Sequence, residues 1–238
     1  MVYTRHIFFI LLCLHLAYAS GSQPITLVSI NEQIIEAISQ NSITSLIDYV
    51  KQNTYPTPEA HAHVALAVLS KKYRCLEILL SKSERFGEHD LLRTGLFYAA
   101  EHGDEKSVAI ILTKILDQEH ASEQRNVHER CEGDVKLIGS EEWFTRRVGA
   151  ANAAGDRPLY LAAQKGNPSS LKGLLSERVL ALFHGKRYVN EPNSSGMSAL
   201  HVAAFRGFRK CVDLLCSLAS PNKTMRDSSN RTALDCAY

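Results

Sequence analysis

Apolar positions along this chain fall into paired stretches with helical spacing, each pair parted by a glycine. In the clearest pair, Leu200, Val202, Ala203 and Ala204 precede Gly207, and Val212, Leu214 and Leu215 follow it. The same alternation runs through Leu159, Leu161, Ala162, Ala163, Gly166, Leu171, Leu174 and Leu175. It runs again through Leu96, Ala99, Ala100, Gly103, Val108, Ile111, Leu112 and Ile115. Apolar residues three and four apart share one face of a helix. The pattern predicts repeated units of helix, tight turn, helix and loop. No such unit can bury its apolar face alone, so neighbours must stack and build the core at their mutual interfaces.

Particular residues mark the predicted helix ends. Ser198, Thr94 and Thr232 each offer a side-chain oxygen to the free amides of a first helical turn, which predicts three helix starts. Pro158 suits a first turn, where its missing amide hydrogen is no loss. Gly103, Gly166 and Gly207 predict the left-handed turns that end the first helices.

Aligned on leucine, one motif returns as Thr94-Gly95-Leu96-Phe97-Tyr98-Ala99-Ala100, Arg157-Pro158-Leu159-Tyr160-Leu161-Ala162-Ala163, Ser198-Ala199-Leu200-His201-Val202-Ala203-Ala204 and Thr232-Ala233-Leu234-Asp235-Cys236-Ala237. These segments resemble the ankyrin repeat, whose signature is Thr-Pro-Leu-His, an apolar residue, two alanines and a later glycine. Leu200 to Leu234 is 34 residues, close to the family period of about 33. Leu159 to Leu200 is 41 and Leu96 to Leu159 is 63, so these steps exceed one period by about 8 and about 30 residues. Two degenerate copies precede them. One carries Val64, Ala67 and Val68 before Cys75-Leu76-Glu77-Ile78-Leu79-Leu80, and the other runs from about Ile34 through Leu46-Ile47. The resemblance implies an all-α ankyrin-repeat solenoid of about five repeats, the last incomplete. It also implies that His201 bonds neighbouring backbone and ties adjacent loops, with weaker ties where Tyr160, Phe97 and Asp235 take that slot.

The expected organisation is an export signal over residues 1–19, degenerate repeats over 20–116, a charged insertion or loop over 117–149 and repeats over 150–238. Arg5 and His6 precede an apolar run from Ile7 to Ala17, and Ala17-Tyr18-Ala19 offers small residues for cleavage, the three regions of a secretory signal peptide. The run is shorter than the roughly 20 residues that span a bilayer, so no stable membrane span is expected after cleavage. The expected location is secreted or extracytoplasmic, periplasmic in a Gram-negative cell. Intracellular bacteria carry proteins of this family, so the resemblance also admits an exported bacterial protein acting on host proteins. A eukaryotic secreted protein is the alternative, with Asn193, Asn222 and Asn230 as glycosylation acceptors.

Composition narrows this little: 238 residues, 45% hydrophobic, with a formal net charge of +2. No basic stripe interleaved with aromatics points to nucleic acid. Beyond the signal segment stand Cys75, Cys131, Cys211, Cys216 and Cys236, an odd number without regular spacing, which is no disulfide framework. Cys75 and Cys211 occupy corresponding second-helix positions and read as small core residues.

The stretch 117–149 holds the only tryptophan, Trp143, and many charges; a loop of that length is functional or disordered. Its first part, to about Arg130, reads as an extension of the preceding helix. His120, His128 and Cys131 within it match no zinc spacing, so no metal or cofactor is expected. No phosphate loop, nucleophile elbow or zinc-protease helix occurs, and no catalytic residue is assigned: the chain reads as a non-enzymatic protein-protein interaction module. The alternatives are a scaffold whose enzymatic or metal-dependent activity lies in 117–149, or an inactive truncated protein. By position in the family, the candidate protein-binding residues are Arg157, Lys165, Met197, Phe205, Arg206 and Arg231. Phe205 and Arg206 lead this set because aromatic and arginine side chains dominate interface energetics.

Overall fold

The computed structural model describes residues 32–52, 60–81, 89–129, 148–182 and 186–237. The signal-like segment, Cys131 and Trp143 lie outside the described residues. Helices account for the regular structure and no strand occurs among the described residues, apart from an isolated antiparallel bridge between Arg226 and Thr232. The chain divides into two units, 1–95 and 96–238.

The first unit contains α1 (Glu32–Gln40), α2 (Ile43–Gln52), α3 (Ala60–Leu69) and α4 (Tyr73–Ser81). Helix α1 packs on α2 and α3, and α4 packs on α2 and α3. Ile38, Leu46, Val64, Leu76 and Leu79 are fully buried among them. Both degenerate repeats are therefore complete helix-turn-helix units. Cys75 is buried here, and its thiol lies 3.7 Å from the side-chain oxygen of Asn41.

Helix α5 (His89–His102) carries the division between the units, and α6 (Glu105–Glu129), α7 (Pro158–Gln164), α8 (Pro168–Leu174), α9 (Glu177–Leu182), α10 (Lys186–Asn190), α11 (Ala199–Phe205) and α12 (Arg209–Leu218) follow. In this second unit α11 packs on α7 and α12, while α8 packs on α6, α7 and α12. First helices thus lie on first helices and second helices on second helices. A short 3-10 turn, Asp235–Ala237, lies against α11.

Among the described residues, five turns between paired helices are built alike. The residue after the left-handed position donates its amide to the carbonyl of an alanine: Ser42 to Ala37, Lys72 to Ala67, Asp104 to Ala99, Asn167 to Ala162 and Phe208 to Ala203, at 2.8–3.1 Å. This bond satisfies a carbonyl that the helix end leaves open. The left-handed residue is Gly103, Gly166 or Gly207 in the second unit, but Asn41 (φ 57°) and Lys71 (φ 55°) in the first. Those two substitutions make the first pair of repeats degenerate to the eye.

Thr94 does not start a helix; it lies inside α5, which begins at His89. Leu91 and Leu92 are buried and continue the apolar spacing of Leu96 and Ala99 backwards by more than a turn, so nothing stops the helix at Thr94. Its hydroxyl instead meets Nδ1 of His61 at 3.0 Å. The part of the 117–149 stretch up to Glu129 is helical and belongs to α6. The surplus of the 41-residue step resides in α9 and α10, which bury Val179, Tyr188 and Val189.

Candidate functional site

Three loops of the second unit share one local geometry. Oδ1 of Asn152 accepts from the amides of Ala154 and Asp156, both at 2.9 Å. Oδ1 of Asn193 accepts from Ser195 and Met197 at 3.0 Å, and Oδ1 of Asp227 from Ser229 and Arg231 at 2.9 Å. Asn and Asp side chains are short enough to act as such turn acceptors. The backbone closes the same hairpin each time: Asn152 donates to Asp156, Asn193 to Met197 and Asp227 to Arg231. The fourth residue is left-handed, as Gly155, Gly196 or Asn230.

Successive hairpins are tied edge to edge. The amide of Ser194 donates to the carbonyl of Ala154 (3.2 Å), and that of Ser228 to the carbonyl of Ser195 (3.1 Å). Nδ2 of Asn193 donates to Asp156 at 2.9 Å. A Cβ on Gly196 would stand 2.7 Å from the amide nitrogen of Ser228, so this position must stay bare as well as left-handed.

Beneath the tips lies His201, buried at the start of α11. The Ser198 amide and hydroxyl both point to its Nδ1, at 3.3 and 2.8 Å, while Nε2 faces the carbonyl oxygens of Met225 (3.1 Å) and Arg231 (3.3 Å). An amide can only donate and a carbonyl only accept. His201 is therefore the neutral tautomer with the proton on Nε2, and the Ser198 hydroxyl donates to Nδ1. Tyr160 fills the same slot one unit earlier, with the Asn193 side chain acting on its phenol. Burial, and then the negative charge of Asp156, push that phenol up; Arg206 and the Asn193 side chain oppose the rise. Asp235 turns back on its own segment, accepting from the Thr232 amide and hydroxyl at 2.8 Å, while Thr232 accepts from the Asp235 amide at 3.3 Å.

This row of hairpins on a helix-turn-helix stack matches a known pattern. Residues 159–238 fit the family model for ankyrin repeats in three copies. They are ankyrin repeats. Cortactin-binding protein 2 of Ateles geoffroyi and that of Ovis aries are each 41% identical to this chain over 49 residues, which is 21% of this chain and 3% of the relative. That of Saimiri boliviensis boliviensis is 38% identical over 50 residues, with the same coverage. The chain thus spans a small fraction of the length of these relatives. The crystal structure of EF0377, an ankyrin repeat protein, covers 86% of this chain and 89% of its own, with a TM-score of 0.57 and 19% identity. That likeness establishes the fold, an all-α ankyrin array.

Within the ankyrin units the six candidate binding residues take different roles. Arg157 turns inward: its Nε donates to the carbonyl of Gly149, one guanidinium nitrogen donates to that of Pro192, both at 2.9 Å, and the other pairs with Glu191. Arg231 pairs with Asp227 at 2.8 Å. That carboxyl is held below the usual carboxylate range, first by the amide of Arg231, then by its guanidinium and the amide of Ser229, against the opposing effect of burial. Met197 is half-buried in its hairpin. Lys165 ends α7 and pairs with Glu101 at 3.0 Å. Phe205 and Arg206 end α11, both exposed, Phe205 at 58%.

The motif leucines mark another difference along the array. Leu159 and Leu200 are 2% and 5% exposed and Leu234 is 68% exposed, while its neighbours Ala233 and Cys236 are buried. Sequence reasoning passed over the turn-acceptor role of Asn152, Asn193 and Asp227. Each stands seven positions before a motif leucine and three before the left-handed residue. His120 and His128 lie on α6, but Cys131 falls outside the described residues, and no group of three or more potential metal ligands forms among those described.

Proposed function

We propose that the chain is a non-enzymatic protein-interaction module that binds through the hairpin tips and the exposed ends of the first helices of its ankyrin units. The observation that carries this reading is the division of labour at those ends. Arg157 and Arg231 are spent on holding hairpins in register, whereas Phe205 and Arg206 project from the rigid base so formed. Rigid presentation lowers the ordering cost of binding. We further propose that the chain acts outside the compartment that makes it, on the strength of Arg5, His6, the apolar run to Ala17 and the Ala17-Tyr18-Ala19 site.

Two measurements test the reading. Affinity capture with the intact chain is compared among wild type, Phe205→Ala with Arg206→Glu, and a deletion of residues 130–147. A partner retained by the deletion and lost by the double substitution supports the module; a partner lost only by the deletion moves the function to that segment. Sequencing the N-terminus of the protein recovered from its native source tests export, and a mature chain still beginning at Met1 would overturn it.

A further inference from the structure

The two-residue ends of the first helices form columns along the array: Glu101-His102, Gln164-Lys165 and Phe205-Arg206, each followed by its turn glycine. Lys165 finds its anion diagonally, on Glu101 of the preceding unit at 3.0 Å. One unit on, Arg206 stands in the place of Lys165, but the place of Glu101 is taken by Gln164, which carries no charge. Among the described residues Arg206 and Lys210 form no ion pair, and Arg209, whose side chain is 93% exposed, reaches only Asp213 at 3.9 Å. Asp156 acts on the same phenol as Arg206, yet its carboxylate takes the Asn193 amide instead.

A second observation points the same way. Arg209 and Lys210 open α12, and its first turn has no acidic residue. Cations at a helix N-terminus oppose the helix dipole. The equivalent helix α6 opens on Glu105, the favourable sign. The turn from Phe205 to Lys210 thus concentrates positive charge that only the exposed Arg209–Asp213 pair offsets, beside an exposed aromatic ring.

We infer that this turn is the docking site for an acidic segment of a partner protein, with a partner carboxylate doing for Arg206 what Glu101 does for Lys165, and an apolar partner side chain resting on Phe205. The inference rests on the interaction-module reading and names the partner's chemistry. Electrostatic complementarity of this kind sets specificity and association rate, and it weakens with salt.

The test uses the full chain and fluorescence anisotropy with a fluorescein-labelled peptide that alternates glutamate pairs with leucine. Its counterpart carries glutamine for glutamate. The acidic peptide should bind and weaken as salt is raised, and the glutamine peptide should not bind. Arg206→Glu with Lys210→Glu should weaken binding by about tenfold or more, Arg206→Gln with Lys210→Gln should fall between, and unchanged melting curves show that both variants fold. Equal binding of the two peptides, indifference to the substitutions, or preferential binding of phosphatidylserine vesicles or single-stranded RNA through the same cations would each overturn the inference. If the peptide fails while partner capture still depends on Phe205, the acidic class is wrong and the module reading stands. If capture is also indifferent to Phe205 and Arg206, the module reading fails with it.

Discussion

Nε2 of His201 donates to the carbonyl oxygen of Met225 at 3.1 Å, and through this bond the α11 helix start holds the loop that leads into the next hairpin. Its second acceptor, Arg231, is the closing residue of that hairpin. His201→Ala leaves the part-buried Met225 carbonyl without this donor, while the Arg231 carbonyl keeps the Asp227 amide, at a cost of about 1–3 kcal/mol. Urea unfolding followed by helical circular dichroism should show the loss. An unchanged midpoint would mean that water replaces the imidazole freely.

Gly166 and Gly207 share a left-handed φ, 69° and 71°, but not their surroundings. A Cβ on Gly166 would stand 2.8 Å from the Phe208 ring, and one on Gly207 would meet nothing within 4 Å. Gly207→Ala should therefore carry only the backbone penalty of about 1 kcal/mol, while Gly166→Ala adds about 1–3 kcal/mol of overpacking. Phe208→Leu should recover part of the Gly166→Ala loss and none of the Gly207→Ala loss. Equal melting temperatures for the two alanine variants would contradict this.

Lys71 holds the same turn conformation with a side chain that has no need to be there; it is exposed, with φ at 55°. Lys71→Gly should stabilise the first unit by about 1 kcal/mol, because glycine adopts the left-handed region without the Cβ clash. Hydrogen exchange of the α3 and α4 amides measures it, and faster exchange would count against the turn assignment.

The hairpin at Asp227 is closed by a carboxylate where those at Asn152 and Asn193 are closed by a side-chain amide. Its carboxyl is depressed in the folded chain, by the Arg231 amide first and then by the guanidinium. A carboxyl of ordinary value titrates near about 3.9. The stabilisation is thus fully present above that pH and is lost as pH falls through the lower folded value. Asp227→Asn keeps the amide acceptor and removes the titration, so the fall in melting temperature between neutral and acid pH should become smaller. An equal fall in wild type and variant would place the acid sensitivity elsewhere.

The leucine motif, the alanine pairs and the turn glycines made the three later units legible in the sequence, because each serves a backbone geometry that few residues satisfy. The earlier units were harder to read because Asn41 and Lys71 do with strain what glycine does freely, and only the alanines at 37 and 67 betray the shared turn bond. Thr94 misled because a capping residue acts as one only where the helix has a reason to begin, and Leu91 and Leu92 remove that reason. At the candidate site, exposure of Phe205 and Arg206 followed from their place after the alanine pair. The inward course of Arg157 depended on carbonyls at Gly149 and Pro192, which no local pattern announces.

Helices α9 and α10 lengthen one unit, yet the Asn193 hairpin keeps its bond to Ala154 and its seven-residue lead to Leu200. Residues can be added between a second helix and the next hairpin at little thermodynamic cost, since doubling a loop adds only about 0.6 kcal/mol. A single residue inserted between Asn193 and Leu200 would instead displace acceptor, left-handed turn and leucine together. Tolerance of added length is thereby confined to one side of each unit, and the row of tips keeps its alignment.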